Sequence, residues 1–305
     1  MERFTILSSD GKTALAAYRL IPDHPRAMVQ ISHGMCEYFL RYEGFAQYLA
    51  AHGFLLFGHD HLGHGQTAKT ADELGFTTSG GGAEHLVGDV HKLSLCMRSE
   101  HPDLPLILFG HSMGSFIARE VLARHGNDYT AAIICGTGGP NTPAGAGKLL
   151  ASLMMAFCGE RHRSKLLKSI AFAGYNKKFE KGCDPNAWLS RDGAVVSRYN
   201  ADPLCAYTFT LRAYHDLFTL VQWVSRRDWA YRVPAELPIL IVSGENDPVG
   251  AWGVGVRQVA ERLQAAGVKE LSCTLYPDMR HEILNEIEHE TVWSDIRQWL
   301  EQKLR

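Results

Sequence analysis

The pentapeptide Gly110-His111-Ser112-Met113-Gly114 is the part of this sequence whose residue types and spacing most directly suggest chemistry. It has the form G-x-S-x-G, which in nucleophile elbows places a serine on a sharp turn between a strand and a helix. An apolar run at Leu104–Phe109 precedes it and a helical pattern follows it, so the context fits such a turn. The turn needs small residues at both ends because a Cβ atom there would crowd the strained backbone. The alternative is a serine in an ordinary strand-to-helix turn.

A serine hydroxyl becomes a strong nucleophile only when a base accepts its proton and an acid orients that base. Asp247 and His281 each follow a predicted strand, in the chain order serine, acid, histidine that accompanies a nucleophile elbow. Parallel strands end at one edge of a sheet, so we expect Ser112, Asp247 and His281 to converge there. Glu245 is a rival acid. The alternatives are that Asp247 only forms a turn and that His281 lies on the surface.

The tetrahedral intermediate of such a reaction needs hydrogen-bond donors for its oxyanion. The N–H of Met113, directly after the serine, is one predicted donor, and the loop after the strand Ala27–Ser32 is expected to supply the second. In that loop we predict Met35 N–H, preceded by Gly34, which lets the backbone approach a substrate closely. The methionine side chains would then line an apolar acyl slot. The alternative for Gly34 is a plain turn glycine.

Strand-like and helix-like patterns alternate along most of the chain. Strands are predicted at 4–7, 15–20, 27–32, 54–57, 104–109, 131–135, 237–244 and 271–276, and helices at 41–52, 84–98, 113–125, 254–266 and 288–304. This alternation predicts an α/β fold, a mostly parallel sheet with helices on both faces. No strand pattern is visible between 138 and 232. The sequence therefore predicts one core from residues 1–137 and 233–305, with a helical cap inserted at 138–232.

The composition limits the class of protein. Hydrophobic residues make up 46% of the 305 residues and charged residues 21%, as in globular domains. The 31 basic and 33 acidic residues leave a net charge of −2, which argues against a nucleic-acid binder. Seven widely spaced cysteines without a CxxC pair predict free thiols in a reducing compartment, hence a cytoplasmic protein. We expect neither a signal peptide nor a membrane span.

Several longer blocks resemble the monoacylglycerol lipase and lysophospholipase group of α/β-hydrolases, often classified as serine aminopeptidase S33-like. The chain contains, in the order of that family, the blocks HGMCEYFLRYEGFAQYLAAHGF, GHDHLGHGQT, GHSMG, LSRDGAVVSRYNADPLC, GENDPV and MRHEILNE. The resemblance implies an α/β-hydrolase fold and assigns nucleophile, acid and base to Ser112, Asp247 and His281. It implies the same two oxyanion donors, Met35 and Met113.

The resemblance also implies that Glu37 and Arg41 hold the polar head group of the substrate. Their spacing equally fits an i,i+4 ion pair at the start of a helix, and the two interpretations are compatible. As a function it implies a serine hydrolase of carboxylic esters that needs no metal or organic cofactor. The expected partner is a small-molecule lipid ester such as a monoacylglycerol. The alternatives are a short-chain esterase or thioesterase, an aminopeptidase, and an inactive hydrolase fold that binds a ligand.

One loop departs from the family pattern. The usual D-x-R-G-H-G is here Asp60–Gly65, DHLGHG, so the arginine and any local salt bridge with it are missing. His59, His61 and His64 around Asp60 suggest a metal site. No second cluster with ligand spacing accompanies them, so we favour a structural loop and predict no metal.

The predicted cap contains a basic and apolar segment. Between Lys148 and Lys181 there are eight Lys or Arg residues and two Glu residues, interspersed with leucine, methionine and phenylalanine. Such a segment predicts transient contact with an anionic membrane surface. The alternative is a cap helix that packs its apolar face over the active site. The oligomeric state does not follow from the sequence.

Overall fold

The computed structural model describes residues 1–141 and 143–304. Thr142 and Arg305, which fall within the predicted cap and core ranges, lie outside the described residues. The strands are β1 (Glu2–Leu7), β2 (Ala14–Leu20), β3 (Ala27–Ser32), β4 (Phe54–His59), β5 (Leu106–His111), β6 (Ala131–Cys135), β7 (Ile239–Gly244) and β8 (Leu271–Tyr276). The α-helices are α1 (Glu43–Ala50), α2 (Gly82–Glu100), α3 (Met113–His125), α4 (Ala144–Cys158), α5 (Lys165–Ala171), α6 (Gly193–Ala201), α7 (Leu211–Ser225), α8 (Val254–Ala265) and α9 (His289–Lys303). Short 3₁₀ helices lie at Phe39–Tyr42, Gly126–Asp128, Ala230–Arg232 and Ile283–Asn285.

The strands form one sheet in the order β1-β2-β4-β3-β5-β6-β7-β8. Strand β2 pairs antiparallel with both of its neighbours, and the strands from β4 to β8 in this order are all parallel. The prediction of a mostly parallel sheet is therefore confirmed. The parallel strands β3, β5, β6 and β7 end at the same edge, which brings the segments that follow them together.

Helices cover both faces of the sheet, as predicted. The central strands β3, β4, β5, β6 and β7 are buried along their whole length because they are continuous apolar runs with neighbours on both sides. Helices α1 and α9 bury apolar side chains against one face, and α2, α3 and α8 do so against the other. The edge strand β8 remains mostly exposed.

Of the predicted bounds that differ from the structure, two differ for local reasons. Strand β5 begins two residues later than expected, after Pro105, and extends to the residue before Ser112. Proline has no N–H for the ladder, so Pro105 uses only its carbonyl, which accepts from Met28 N–H. The helix predicted over 41–52 is divided into a 3₁₀ turn at Phe39–Tyr42 and the helix α1, and the N–H of Phe39 at the start of the turn donates to the buried Asp60 carboxylate.

The described residues between β6 and β7 form the helices α4, α5, α6 and α7, joined by turns, and contain no strand. Helix α4 packs on α7, and α7 packs on α2 and α3 of the sheet layer. Arg119 of α3, 1% exposed, fastens the two ends of this segment by donating to Gly138 O at 2.9 Å and Val224 O at 2.8 Å. Among the described helices, none is both long and apolar enough to span a membrane.

Candidate active site

The serine of the G-x-S-x-G motif lies on a strained turn between β5 and α3. Ser112 has φ 55° and ψ −122°, an unfavourable conformation for a residue with a Cβ atom. Its N–H donates to Cys135 O at 3.0 Å, which fixes the turn to the end of the neighbouring strand β6. A Cβ atom on Gly110 would lie 2.5 Å from Gly114 O, and one on Gly114 would overlap the carbonyl of Ser32. The motif therefore forms the predicted turn, and both glycines are needed for it.

The structure brings His281 to Asp247 and not to the rival acid. His281 Nδ1 lies 2.9 Å from Asp247 Oδ2, and both side chains are buried. The aspartate also accepts from Val249 N–H at 2.8 Å and from Ser243 Oγ at 3.3 Å. Glu245 is exposed. A carboxylate held in this way keeps the histidine proton on Nδ1 and leaves Nε2 free to accept a proton.

His281 and Ser112 both line one large cavity of about 700 Å³. The ring of His281 lies 5.0 Å from the Trp188 ring, and the backbone N–H of His281 donates to Trp188 O at 3.3 Å. A cavity of this volume is in the range of small-molecule sites. Most of its wall is apolar and aromatic, with contributions from Met35, Met113, Phe116, Phe172, Tyr175, Trp188, Leu189, Tyr199, Tyr207, Tyr214, Leu217 and Val249. Charged wall residues are Glu37, Lys168, Lys177 and Glu282.

The loop after β3 lies directly against Ser112. A Cβ atom on Gly34 would lie 2.9 Å from the Cβ atom of Ser112, so only glycine permits this approach. The N–H of Gly34 donates to Glu37 Oε1 at 2.5 Å and is not available to a ligand, and Gly34 does not line the cavity. Within the described part of the chain, the N–H groups of Met35 and Met113 have no acceptor, and both residues line the cavity.

Glu37 and Arg41 form the predicted i,i+4 ion pair, with Arg41 Nη1 3.1 Å from Glu37 Oε2. Arg41 also makes a two-pronged pair with Glu282, at 2.7 Å for each bond, which sequence reasoning missed because the two residues lie 241 positions apart. Only Glu37 and Glu282 of these three line the large cavity; Arg41 lines a separate cavity of about 350 Å³.

The histidine-rich loop at 59–65 is a buried structural element. Asp60 accepts from the N–H groups of Phe39 and Gln66, at 2.8 and 2.7 Å, and burial raises the pKa of its carboxyl to about 6. His61 Nδ1 lies 3.2 Å from His59 Nε2. The Asp60 carboxylate and the rings of His61 and His64 each make at least one hydrogen bond to a neighbouring protein group, and among the described residues this loop forms no group of three side chains with metal-ligand spacing.

In the described ranges, a group of three side chains with metal-ligand spacing occurs elsewhere, at His91, His125 and Asp128. The two rings stack at 3.7 Å with nearly parallel planes, and Asp128 pairs with Arg98 at 3.1 Å. A metal ion lies in the plane of each imidazole that binds it, so stacked rings do not share one.

Comparisons with known proteins agree with this geometry. A family model described as "Serine aminopeptidase, S33" matches residues 23–288. A monoacylglycerol lipase of Mycolicibacterium smegmatis is 29% identical over 286 residues, which are 90% of this chain and 88% of that protein. A monoglyceride lipase of Homo sapiens is 25% identical over 311 residues, 98% of this chain and 90% of that protein.

Solved structures with the same fold include a thermostable carboxyl esterase from Bacillus coagulans in complex with glycerol. It superposes with a TM-score of 0.94 at 28% identity, covering 100% of this chain and 99% of that one. A soluble variant of monoglyceride lipase from Saccharomyces cerevisiae, in complex with a substrate analogue, gives a TM-score of 0.79 over 99% of this chain and 94% of its own. At 21% identity this second likeness concerns the fold.

Proposed function

Because the chain belongs to the serine aminopeptidase S33 family of α/β-hydrolases, we propose that it is a serine esterase that hydrolyses monoacylglycerols. The proposal rests above all on the 2.9 Å bond between His281 and Asp247 beside the cavity that Ser112 and His281 share. The apolar wall suits an acyl chain. The named activities of the two lipase relatives, and the glycerol bound to the structurally similar esterase, support the choice of substrate.

The reaction proceeds through an acyl-enzyme. His281 Nε2 accepts the Ser112 proton while the Oγ atom attacks the ester carbonyl, and Asp247 stabilises the imidazolium that forms. The N–H groups of Met35 and Met113 bind the oxyanion. His281 then gives the proton to the alkoxide of the leaving glycerol. In the second half-reaction, water gives a proton to His281 while its oxygen attacks the acyl carbon. The bond between the acyl carbon and Ser112 Oγ then breaks, His281 returns the proton to Oγ, and the fatty acid leaves.

We assign residues 138–232 to a cap that supplies much of the cavity wall, and residues 1–137 and 233–305 to the catalytic core. The contributions of Phe172, Tyr175 and Trp188 to the wall support this division. In this assignment the core provides the chemistry and the cap selects the substrate.

An aminopeptidase is the second candidate, because the family is named for one. Such an enzyme needs a carboxylate to bind the ammonium group of its substrate. The carboxylates that line the cavity, Glu37 and Glu282, are already paired with Arg41, and the nearby lysines Lys168 and Lys177 repel a cation. These charges favour an ester over an aminoacyl substrate.

The cap also carries a surface that fits a lipid bilayer. Leu149, Leu153 and Phe157 are 61%, 54% and 89% exposed, and their spacing of four residues puts them on one face of α4. Leu166 and Ile170 on α5 are 57% and 49% exposed in the same way. Monomeric proteins rarely expose a row of large apolar side chains such as that on α4 to water.

We propose that this cap surface rests transiently on anionic membranes while substrate enters. The basic residues Lys148, Lys165 and Lys168 lie in the same two helices, and Lys168 also lines the cavity, so the surface is next to the site. Vesicles of phosphatidylglycerol should sediment the protein, and Leu153→Glu with Phe157→Glu should abolish this. The control is Leu95→Glu on α2, an exposed leucine outside the cap. Equal binding by the cap variant contradicts the proposal.

A substrate panel tests the function. Purified protein is given monoacylglycerols, p-nitrophenyl esters and aminoacyl amides, and glycerol, nitrophenol or amine release is measured. Release of glycerol is expected, with none after Ser112→Ala. Turnover of the amides alone refutes the esterase.

We propose the cytoplasm as the location of the protein. The free cysteines favour a reducing compartment; they are Cys36, Cys96, Cys135, Cys158, Cys183, Cys205 and Cys273.

A further inference from the structure

The side chains of Glu37 and His111 meet at the centre of the candidate site. Glu37 Oε1 lies 3.0 Å from His111 Nδ1 and 2.8 Å from the hydroxyl of Tyr42, and both charged side chains are buried. The Tyr42 hydroxyl donates its hydrogen bond to the Glu37 carboxylate. Its oxygen can therefore only accept a hydrogen bond from His111 Nδ1, which lies 2.9 Å away. The other ring nitrogen, Nε2, lies 3.4 Å from His281 O. Both nitrogens of His111 therefore face acceptors, and this arrangement suits the doubly protonated ring.

The charges around this pair lead to the same conclusion. Four buried or nearly buried groups form a connected cluster in which Arg41 joins Glu37 to Glu282. Without a charge on His111 the cluster carries a net negative charge away from water, which is costly. Protonation makes it neutral. The neighbouring groups on other elements are His33 after β3, Cys135 at the end of β6 and His281 after β8, none of them a carboxylate. The carboxylate beyond His281, Asp247, is paired with His281 itself.

The pKa values of His111 and Glu37 are both shifted in the direction that favours the ion pair. Burial lowers the pKa of His111, but the hydrogen bond and charge of Glu37 outweigh it, and the pKa is raised above its ordinary 6.5. Conversely, although burial raises the pKa of Glu37, the hydrogen bond and charge of His111 and the charge of Arg41 hold it well below its usual range. A raised histidine pKa means that the ion pair is present at low pH and is lost as the pH rises through the raised value.

This pair adjoins three loops of the candidate site. Glu37 holds the oxyanion loop through Gly34 N–H at 2.5 Å; His111 immediately precedes Ser112; and His111 faces the carbonyl of His281. We propose that Glu37 and a protonated His111 are positioning residues, whose buried ion pair fixes the oxyanion loop, the nucleophile turn and the base loop relative to one another. This rests on the proposed esterase function. It gives Glu37 a role different from binding the head group.

The variant Glu37→Gln tests the proposal because it keeps the size of the side chain and an oxygen for Gly34 N–H but removes the charge. Displacing a catalytic group by about 1 Å can lower the rate on the order of 10²-fold. We therefore expect kcat to fall by between about tenfold and about a hundredfold. The loss should be equal for monoacylglycerols and p-nitrophenyl acetate, with KM nearly unchanged. A rise in KM for monoacylglycerols alone, with normal turnover of the acetate, would show head-group binding and overturn the proposal.

The pH dependence separates positioning from general damage. In the wild type, kcat should fall on the alkaline side as His111 loses its proton; Glu37→Gln should move that limb to lower pH, and His111→Asn should remove it. Glu120→Gln is the matched control, since Glu120 is a buried carboxylate paired with Arg124 and Arg232 outside the cavity. It should lower thermal stability and leave the pH profile unchanged. An equal shift in the control contradicts the proposal.

Nitrogen-15 NMR of the His111 ring gives a test that does not depend on the substrate. Two ring protons are expected in the wild type at neutral pH and one in Glu37→Gln. A single proton in the wild type overturns the ion pair. If the wild type turns over nitrophenyl esters but no monoacylglycerol, the proposed substrate is wrong while this measurement still decides the role of Glu37.

Discussion

Acidification is predicted to destabilise the folded state through His64. This ring is buried; its Nδ1 donates to Leu62 O at 3.0 Å, and its Nε2 has no partner in the described part of the chain. The Phe209 ring lies 5.4 Å away, and His33 lies 5.2 Å away. Burial lowers the pKa of His64 from 6.5 to about 4, so the ring stays neutral in the fold.

The magnitude follows from proton linkage. Between these two pKa values the unfolded chain binds a proton that the folded chain does not, so the stability of the fold decreases as the pH falls. For pKa values of 6.5 unfolded and about 4 folded, the free energy of unfolding decreases by about 2 kcal/mol between about pH 7 and about pH 5. The loss reaches about 3 kcal/mol when protonation is complete. His59, whose pKa burial also lowers to about 4, adds to the total in the same direction.

Urea unfolding at about pH 7 and about pH 5 measures this loss. His64→Asn removes the titration and keeps a side-chain donor for Leu62. Its stability should therefore depend less on pH than that of the wild type, by about 2 kcal/mol over this interval. His24→Asn, at an exposed histidine, is the control and should behave like the wild type. The same pH-dependent loss in His64→Asn and in the wild type would refute the reasoning.

Three further predictions concern single side chains. Asp247→Asn should lower kcat on p-nitrophenyl esters by about 10³- to 10⁴-fold, because the amide favours the wrong tautomer of His281. Glu245→Gln should keep nearly wild-type kcat, and similar losses in both variants would contradict Asp247 as the acid. Gly114→Ala should lower the melting temperature and abolish turnover, because the new Cβ atom would overlap the carbonyl of Ser32. Gly193→Ala, whose Cβ atom would meet nothing within 4 Å, should be tolerated, and equal melting temperatures of the two variants would contradict the tight packing at Gly114. Arg119→Gln should lower the free energy of unfolding by about 3 kcal/mol in thermal or urea unfolding, because it leaves two buried carbonyl oxygens without a donor. A change within error of zero would contradict the anchoring role of Arg119.

The sheet and the sharp turn at Ser112 were predictable because their sequence signals are local. Strands β3 and β6 have the predicted bounds, since each is an apolar run closed by polar or small residues. The turn at Ser112 follows from two glycines at fixed spacing and from the strand and helix beside it. The proximity of His281 to Asp247 followed from the rule that parallel strands end at one edge, which needs no knowledge of side-chain positions.

The charge network around the site could not be predicted in the same way. The pairs of Arg41 with Glu282 and of Glu37 with His111 join residues 241 and 74 positions apart, and no period or motif links them. The sequence motif predicted the contact between Glu37 and Arg41 but not that their hydrogen-bonding groups are used within the protein. Such networks depend on the packing of three loops at one sheet edge, and only the coordinates reveal them.

The central claim is that Ser112 is the nucleophile of an ester hydrolase. Labelling with a fluorophosphonate, followed by mass spectrometry of the peptide, tests it most directly. We predict a single adduct on Ser112 of the wild type, blocked by prior incubation with a monoacylglycerol analogue and absent from a folded Ser112→Ala variant. An unlabelled wild type, or a folded Ser112→Ala variant that still labels and still releases glycerol, would contradict the account.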